Sequence, residues 1–226
     1  KTSSLGEGCF RVYVRGLDKY GSVGPGTGAT FVVDGTAPKL TSASITPTTS
    51  ETSGSNNARP TIKWSGASDK YLKQVQYCLD SGSYVSMGTA ASGSFVIPSG
   101  KITTSGKHTI KVRAIDKSGN VSAVKTLYHY FDNKKPTGKI TIEDAEGADL
   151  GKYKLVFTAS DANSGLKSVV LKLSGTSLSS DKVLYSGKAG GQVLFNPAAY
   201  AEGTYTLTLT VTDNCGNALT VKKSFS

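Results

Sequence analysis

Three sixteen-residue segments align without a gap, and their spacing constrains the fold more tightly than anything else in the chain. GCFRVYVRGLDKYGSV begins at Gly8, GKHTIKVRAIDKSGNV at Gly106 and GTYTLTLTVTDNCGNA at Gly203. Asp18, Asp116 and Asp213 fall in register, as do Gly21, Gly119 and Gly216, with spacings of 98 and 97 residues. A second pair, FVVDGTAP from Phe31 and HYFDNKKP from His129, sets Asp34 against Asp132 and Pro38 against Pro136, again 98 apart. Self-similarity at a fixed period means tandem copies of one structural unit. Within each segment apolar positions alternate: Phe10, Val12 and Val14 match His108, Ile110 and Val112, then Tyr205, Leu207 and Leu209. Period two with one polar face is a strand half buried against a core. The D-x-x-G that follows is tight-turn chemistry, with Asp capping backbone amides and Gly taking the positive-φ position.

Reading outward from these hairpins supplies the remaining strands. The middle copy offers 39–46, 60–64, 73–78, 83–86, 94–98, 107–115 and 121–131; the last offers 137–143, 153–159, 167–173, 182–185, 192–195, 204–212 and 217–224. Short strands in this number, separated by Gly, Ser and Asn turns, predict an all-β chain of tandem seven-stranded β-sandwiches. The segmentation expected is a C-terminal hairpin of a truncated module at 1–37, then complete sandwiches at 38–135 and 136–226, arranged as a monomeric rod. Ser and Thr together make 54 of 226 residues, which argues against a helical bundle; one short turn at 197–201 is the nearest approach to a helix.

Several function classes fall away. The net charge of +10 comes with 22 Lys and only four Arg, Arg11, Arg15, Arg59 and Arg113. Nucleic-acid recognition leans on the Arg fork and on interleaved aromatics, so no nucleic-acid partner is expected. No stretch approaches the roughly 18 apolar residues of a membrane helix, and no membrane insertion within this chain is expected. Cys9, Cys78 and Cys215 lie one to a module, so no bridge within a module is expected, and Cys215 in its hairpin is expected to face solvent. No nucleophile elbow, phosphate loop or Cys–His pairing occurs, so the chain is not expected to be an enzyme. His108 and His129 are read as core fillers, since His108 aligns with Phe10 and Tyr205. Trp64, two residues after Ile62, is likewise read as core, leaving Tyr20, Tyr71 and Tyr84 as the exposed rings.

The recurrent DKSGN and DNCGN hairpins, the ASD at 67–69 and again at 159–161, and Trp64 with Tyr77 give the chain a family likeness. It resembles tandem bacterial immunoglobulin-like modules with a fibronectin type III flavour. The inter-sheet disulfide of antibody domains is absent, because Ile110, Val112, Leu207 and Leu209 stand where it would be held. The resemblance implies a bacterial surface or secreted multimodular protein in which such modules act as spacers, adhesive units or accessory parts of a larger carbohydrate-active enzyme.

Two sets of residues invite a site. Residues 38–135 carry a net charge of +8 against +1 for 136–226, and outward Lys111 and Arg113, with Lys125 on the return strand, are the candidate ligand-binding residues. A glycan, a cell-wall polymer or a host protein would be the partner for such a face. The turn aspartates Asp18, Asp116 and Asp213, with Asp34 and Asp132, are oxygen donors of the kind Ca²⁺ takes. Turn capping accounts for them without a metal, so no metal and no cofactor are expected.

Overall fold

The computed structural model describes residues 5–226, so the first four residues of the predicted 1–37 segment lie outside the described residues. β1 (Gly8–Val14) and β2 (Thr27–Val33) form an antiparallel hairpin. Seven strands follow: β3 (Lys39–Thr46), β4 (Thr61–Ser68), β5 (Leu72–Leu79), β6 (Val85–Gly88), β7 (Gly93–Val96), β8 (Gly106–Asp116) and β9 (Lys125–Phe131). Another seven complete the chain: β10 (Thr137–Asp144), β11 (Tyr153–Ser160), β12 (Leu166–Gly175), β13 (Lys182–Gly187), β14 (Gly191–Phe195), β15 (Tyr205–Asp213) and β16 (Ala218–Phe225). Two 3-10 turns, Gly147–Asp149 and Pro197–Ala199, are the helical elements among the described residues.

The two sets of seven strands share one topology. The middle set forms sheets of order β3-β4-β7 and β6-β5-β8-β9; the last forms β10-β11-β14 and β13-β12-β15-β16. A three-stranded sheet and a four-stranded sheet in each repeat is the predicted immunoglobulin-like β-sandwich, with the repeat visible in the strand order itself. By proximity of residues, the chain groups into two compact units. One takes the described residues up to 44 with 62–95 and 110–127; the other takes 45–61, 96–109 and 128–226.

In the first unit the inward positions of paired strands face each other in register. Val75 stands opposite Ala114 and Tyr77 opposite Val112, and all four are buried. Trp64, 5% exposed, lies so close to β7 that a Cβ added at Gly93 would sit 2.6 Å from its ring. Its indole N–H donates to the Ala90 carbonyl at 3.1 Å, which satisfies the one polar atom a buried Trp carries. In the second unit Leu171 pairs with Leu209, Leu173 with Leu207 and Val169 with Val211, and all six are fully enclosed with Leu155 and Phe157. Alternate inward side chains thus fill the space between the sheets, each buried Leu or Val contributing roughly 1.5–3 kcal/mol by leaving water.

The repeat keeps its roles even where the residue changes. His108, the third residue of β8, aligns with Tyr205, the first of β15, and both are buried. His108 Nε2 lies 2.8 Å from the Thr104 carbonyl; Tyr205 donates its hydroxyl to the Ala201 carbonyl at 2.6 Å. Each ring therefore reaches back four residues to tie down the chain entering its strand.

The return strand of the middle copy begins at Lys125, four residues later than the alternation predicts. Val121 makes only an isolated bridge to Ile115, and Ser122 then accepts from the Ala114 amide at 2.9 Å through its hydroxyl. That side chain takes a ladder position, so regular pairing resumes only after it.

Candidate functional site

The basic residues singled out in the sequence lie on adjacent strands. Lys111 and Arg113 alternate on β8, Lys111 exposed and Arg113 partly buried, while Lys125 opens the neighbouring β9. Arg113 is engaged within the fold: its guanidinium stacks 3.6 Å from the centre of the Tyr84 ring and its Nε donates to Gln76 Oε1 at 3.1 Å. Tyr20 is 82% exposed, whereas Tyr71 and Tyr84 are half-buried, so the three do not make a common stacking surface.

The turn aspartates cap their hairpins as the sequence suggests. Asp116 Oδ1 accepts from the Asn120 amide and Oδ2 from the Asn120 side chain, both at 2.8 Å. Asp213 does the same with Asn217, at 2.8 and 2.7 Å. Gly119 and Gly216 supply the left-handed backbone, at φ 96° and 90°, that closes each turn. The same two Asn side chains also reach the preceding linker: Asn120 Nδ2 donates to the Asp34 carbonyl and Asn217 Nδ2 to the Asp132 carbonyl, each at 3.0 Å. One amide thereby ties hairpin, cap and linker together in both copies.

These ties bring carboxylates together. Asp34, Asp69 and Asp116 in the first unit, and Asp132, Asp161 and Asp213 in the second, each place one oxygen per residue within 4.8 Å of the others. Asp69 and Asp161 come from the ASD ends of β4 and β11, the members that sequence reasoning did not connect to the others; the repeated ASD was the available signal. Most of the caps use a single oxygen. Asp34 Oδ1 accepts from Thr36 N at 3.1 Å and Asp69 Oδ1 from Tyr71 N at 2.6 Å. Asp132 Oδ1 accepts from Lys134 N and Ser105 Oγ, both at 3.0 Å. Asp161 Oδ1 takes the amides of Asn163, Ser164 and Gly165 at 2.8–3.1 Å. Oδ2 of Asp34 and Oδ2 of Asp132 are buried with no hydrogen-bond partner.

Charge makes this arrangement costly on its own. Two full charges at such a separation repel by roughly 3 kcal/mol at an effective dielectric constant of about 20. Among the described residues none of the six carboxylates forms an ion pair with Lys, Arg or His. Burial pushes the Asp116 carboxyl up, but the hydrogen bonds from Asn120, Gly119 and Ser118 outweigh it and hold the group below the usual carboxylate value, so it stays ionised. Asp116 and Asp213 are fully enclosed and Asp132 is 2% exposed. A solvent-open hollow lined by Asp132, Asn163, Ser164 and Cys215 leads to the second triad.

Cys215 corrects an expectation. It is half-buried rather than solvent-facing, its sulfur so close to Gly54 that an added Cβ there would lie 2.5 Å away. The hairpin register is nonetheless as predicted, since the Cys215 amide donates to Asp213 Oδ1 at 2.9 Å; a neighbouring segment covers the thiol, and burial raises its pKa.

Fold and repeat together define a class: tandem immunoglobulin-like β-sandwiches whose hairpins are built on the same Asp–Asn cap. The chain belongs to the bacterial Ig-like domain family, whose model matches residues 26–133 and 135–226. No curated protein matches it. Among solved structures it is similar to a 1.5-MDa bacterial ice-binding adhesin, at 14% identity over 99% of this chain and 75% of that one, with a TM-score of 0.46. It is also similar to a Ca²⁺-stabilized, ice-binding adhesin of an Antarctic bacterium, at 15% identity over 96% of this chain and 56% of that one, TM-score 0.43. The fibronectin(III)-like modules of Clostridium thermocellum CbhA match at 19% identity over 81% and 91%, TM-score 0.39. Likeness at this level concerns the fold alone.

Proposed function

We propose that the chain is a run of non-catalytic structural modules from a bacterial protein that works outside the cell, spacing an adhesive or catalytic domain from its anchor. The observation that carries this reading is the paired tie of Asn120 to the Asp34 carbonyl and of Asn217 to the Asp132 carbonyl. The most distinctive polar residue of each repeat holds backbone to backbone. Membership of the bacterial Ig-like family supports the extracellular setting, and no helix among the described residues is long and apolar enough to cross a membrane. The basic face supports the spacer reading over ligand binding, because Arg113 is committed to Tyr84 and Gln76.

The test is a glycan array probed with the full chain at low and at high salt. A spacer gives no saturable retention. Salt-sensitive retention on acidic glycans, abolished by charge reversal at Lys111, Arg113 and Lys125, would overturn the reading in favour of an adhesin or carbohydrate-binding module.

A further inference from the structure

We propose that the two aspartate triads are Ca²⁺ sites, one formed by Asp34, Asp69 and Asp116 and the other by Asp132, Asp161 and Asp213, each cation clamping a linker to the module that follows it. The inference goes beyond the spacer reading and does not depend on it.

Three features of the residues point to a cation rather than to turn capping alone. Capping leaves oxygen to spare: Asp34 and Asp132 use Oδ1 for the turn, while their buried Oδ2 atoms have no partner. A buried carboxylate oxygen without a donor is costly to keep, and Asp132 is 98% withdrawn from solvent, since only 2% remains exposed. The triads also concentrate negative charge without a protein counter-charge among the described residues. The same three positions converge in both repeats, a linker Asp, the Asp ending the second strand of the sandwich and the hairpin Asp. Chance pairing of acidic residues does not predict that three carboxylates meet twice at equivalent places.

The donor set selects the ion. All the donors are carboxylate oxygens, with no imidazole or thiolate in either triad, which suits a hard cation over zinc or copper. Ca²⁺ takes six to eight oxygens at flexible angles and accepts carboxylates in one- or two-oxygen modes, with water completing the shell. Mg²⁺ demands near-ideal octahedral geometry and gives up its own water reluctantly, so a triad already shaped by turn caps serves it less well.

Isothermal titration of the chelator-stripped full chain with CaCl₂, alongside thermal melts in Ca²⁺ and in chelator, tests this. Two Ca²⁺ per chain are expected, with a melting temperature at least about 5 °C higher in millimolar Ca²⁺ and a weaker response to Mg²⁺. Asp69→Asn and Asp161→Asn keep an oxygen for the turn amides, so each variant should melt as the parent does in chelator yet take up one Ca²⁺ instead of two. Absence of uptake by the unmodified chain at millimolar Ca²⁺, equal melting with and without the ion, or unchanged stoichiometry in both variants would each overturn the proposal. Retention on a glycan would overturn the spacer reading and leave this one standing.

Discussion

His129 shows how one buried group sets the pH range of a module. It is fully enclosed, its Nε2 donating to the Asn57 carbonyl at 2.8 Å while Nδ1 has no partner. The ring is therefore neutral, and burial pushes its pKa below the ordinary 6.5, the Asn57 hydrogen bond opposing and the nearby His108 adding to the drop. A folded pKa below the unfolded one means that the unfolded chain binds the proton more readily. Stability is thus complete above about pH 6.5 and declines as pH falls through the folded value. Urea midpoints should decrease between pH 7 and pH 5, and His129→Gln, which keeps a donor but cannot titrate, should flatten that decrease. Asp116 acts in a lower window: its depressed carboxyl contributes stability that is lost only as pH falls below the ordinary 3.8. An unchanged slope in the Gln variant would assign the pH 5–7 dependence to another group.

At the scale of the element, the ring near the start of the sixth strand of each sandwich, His108 or Tyr205, fixes how the chain enters it. Tyr205→Phe removes only the hydroxyl bonded to the Ala201 carbonyl, and a net hydrogen bond of this kind contributes about 1 kcal/mol. Denaturant unfolding should register that loss with an unchanged m-value; a neutral effect would mean that the aromatic cluster of Phe195, Tyr200 and Phe225 around it carries the corner by itself. Such elements were legible because β8 and β15 alternate strictly: His108, Ile110, Val112, Tyr205, Leu207 and Leu209 are buried, whereas in β1, which has only β2 beside it, the matching Val12 and Val14 are 49% and 64% exposed and the alternation does not mark a core face. The late start of β9 was not legible, since a Ser hydroxyl that replaces a ladder bond looks in sequence like any other Ser on a strand. Nor was the triad. Asp69 and Asp161 stand far along the chain from their partners, each has a sufficient local explanation as a turn cap, and only the folding of β4 and β11 beside the hairpins converts separate caps into a cluster.

On the scale of the whole molecule, all three cysteines are free, so stability rests on the cores and the Asp–Asn ties rather than on covalent staples. The two sandwiches share a topology but not a composition. The chain has one tryptophan, and Trp64 is enclosed beneath β7, so the molecule carries a built-in optical label on its middle copy and none on its last. Native emission should be blue-shifted, and its red shift on denaturation should follow the surroundings of β4 alone, while far-ultraviolet ellipticity averages over every strand. Coincident curves would show one cooperative transition, and separated curves would show that the copies melt independently. A single indole, placed where packing required it, thus lets a spectrometer tell two sandwiches of one topology apart without any labelling chemistry.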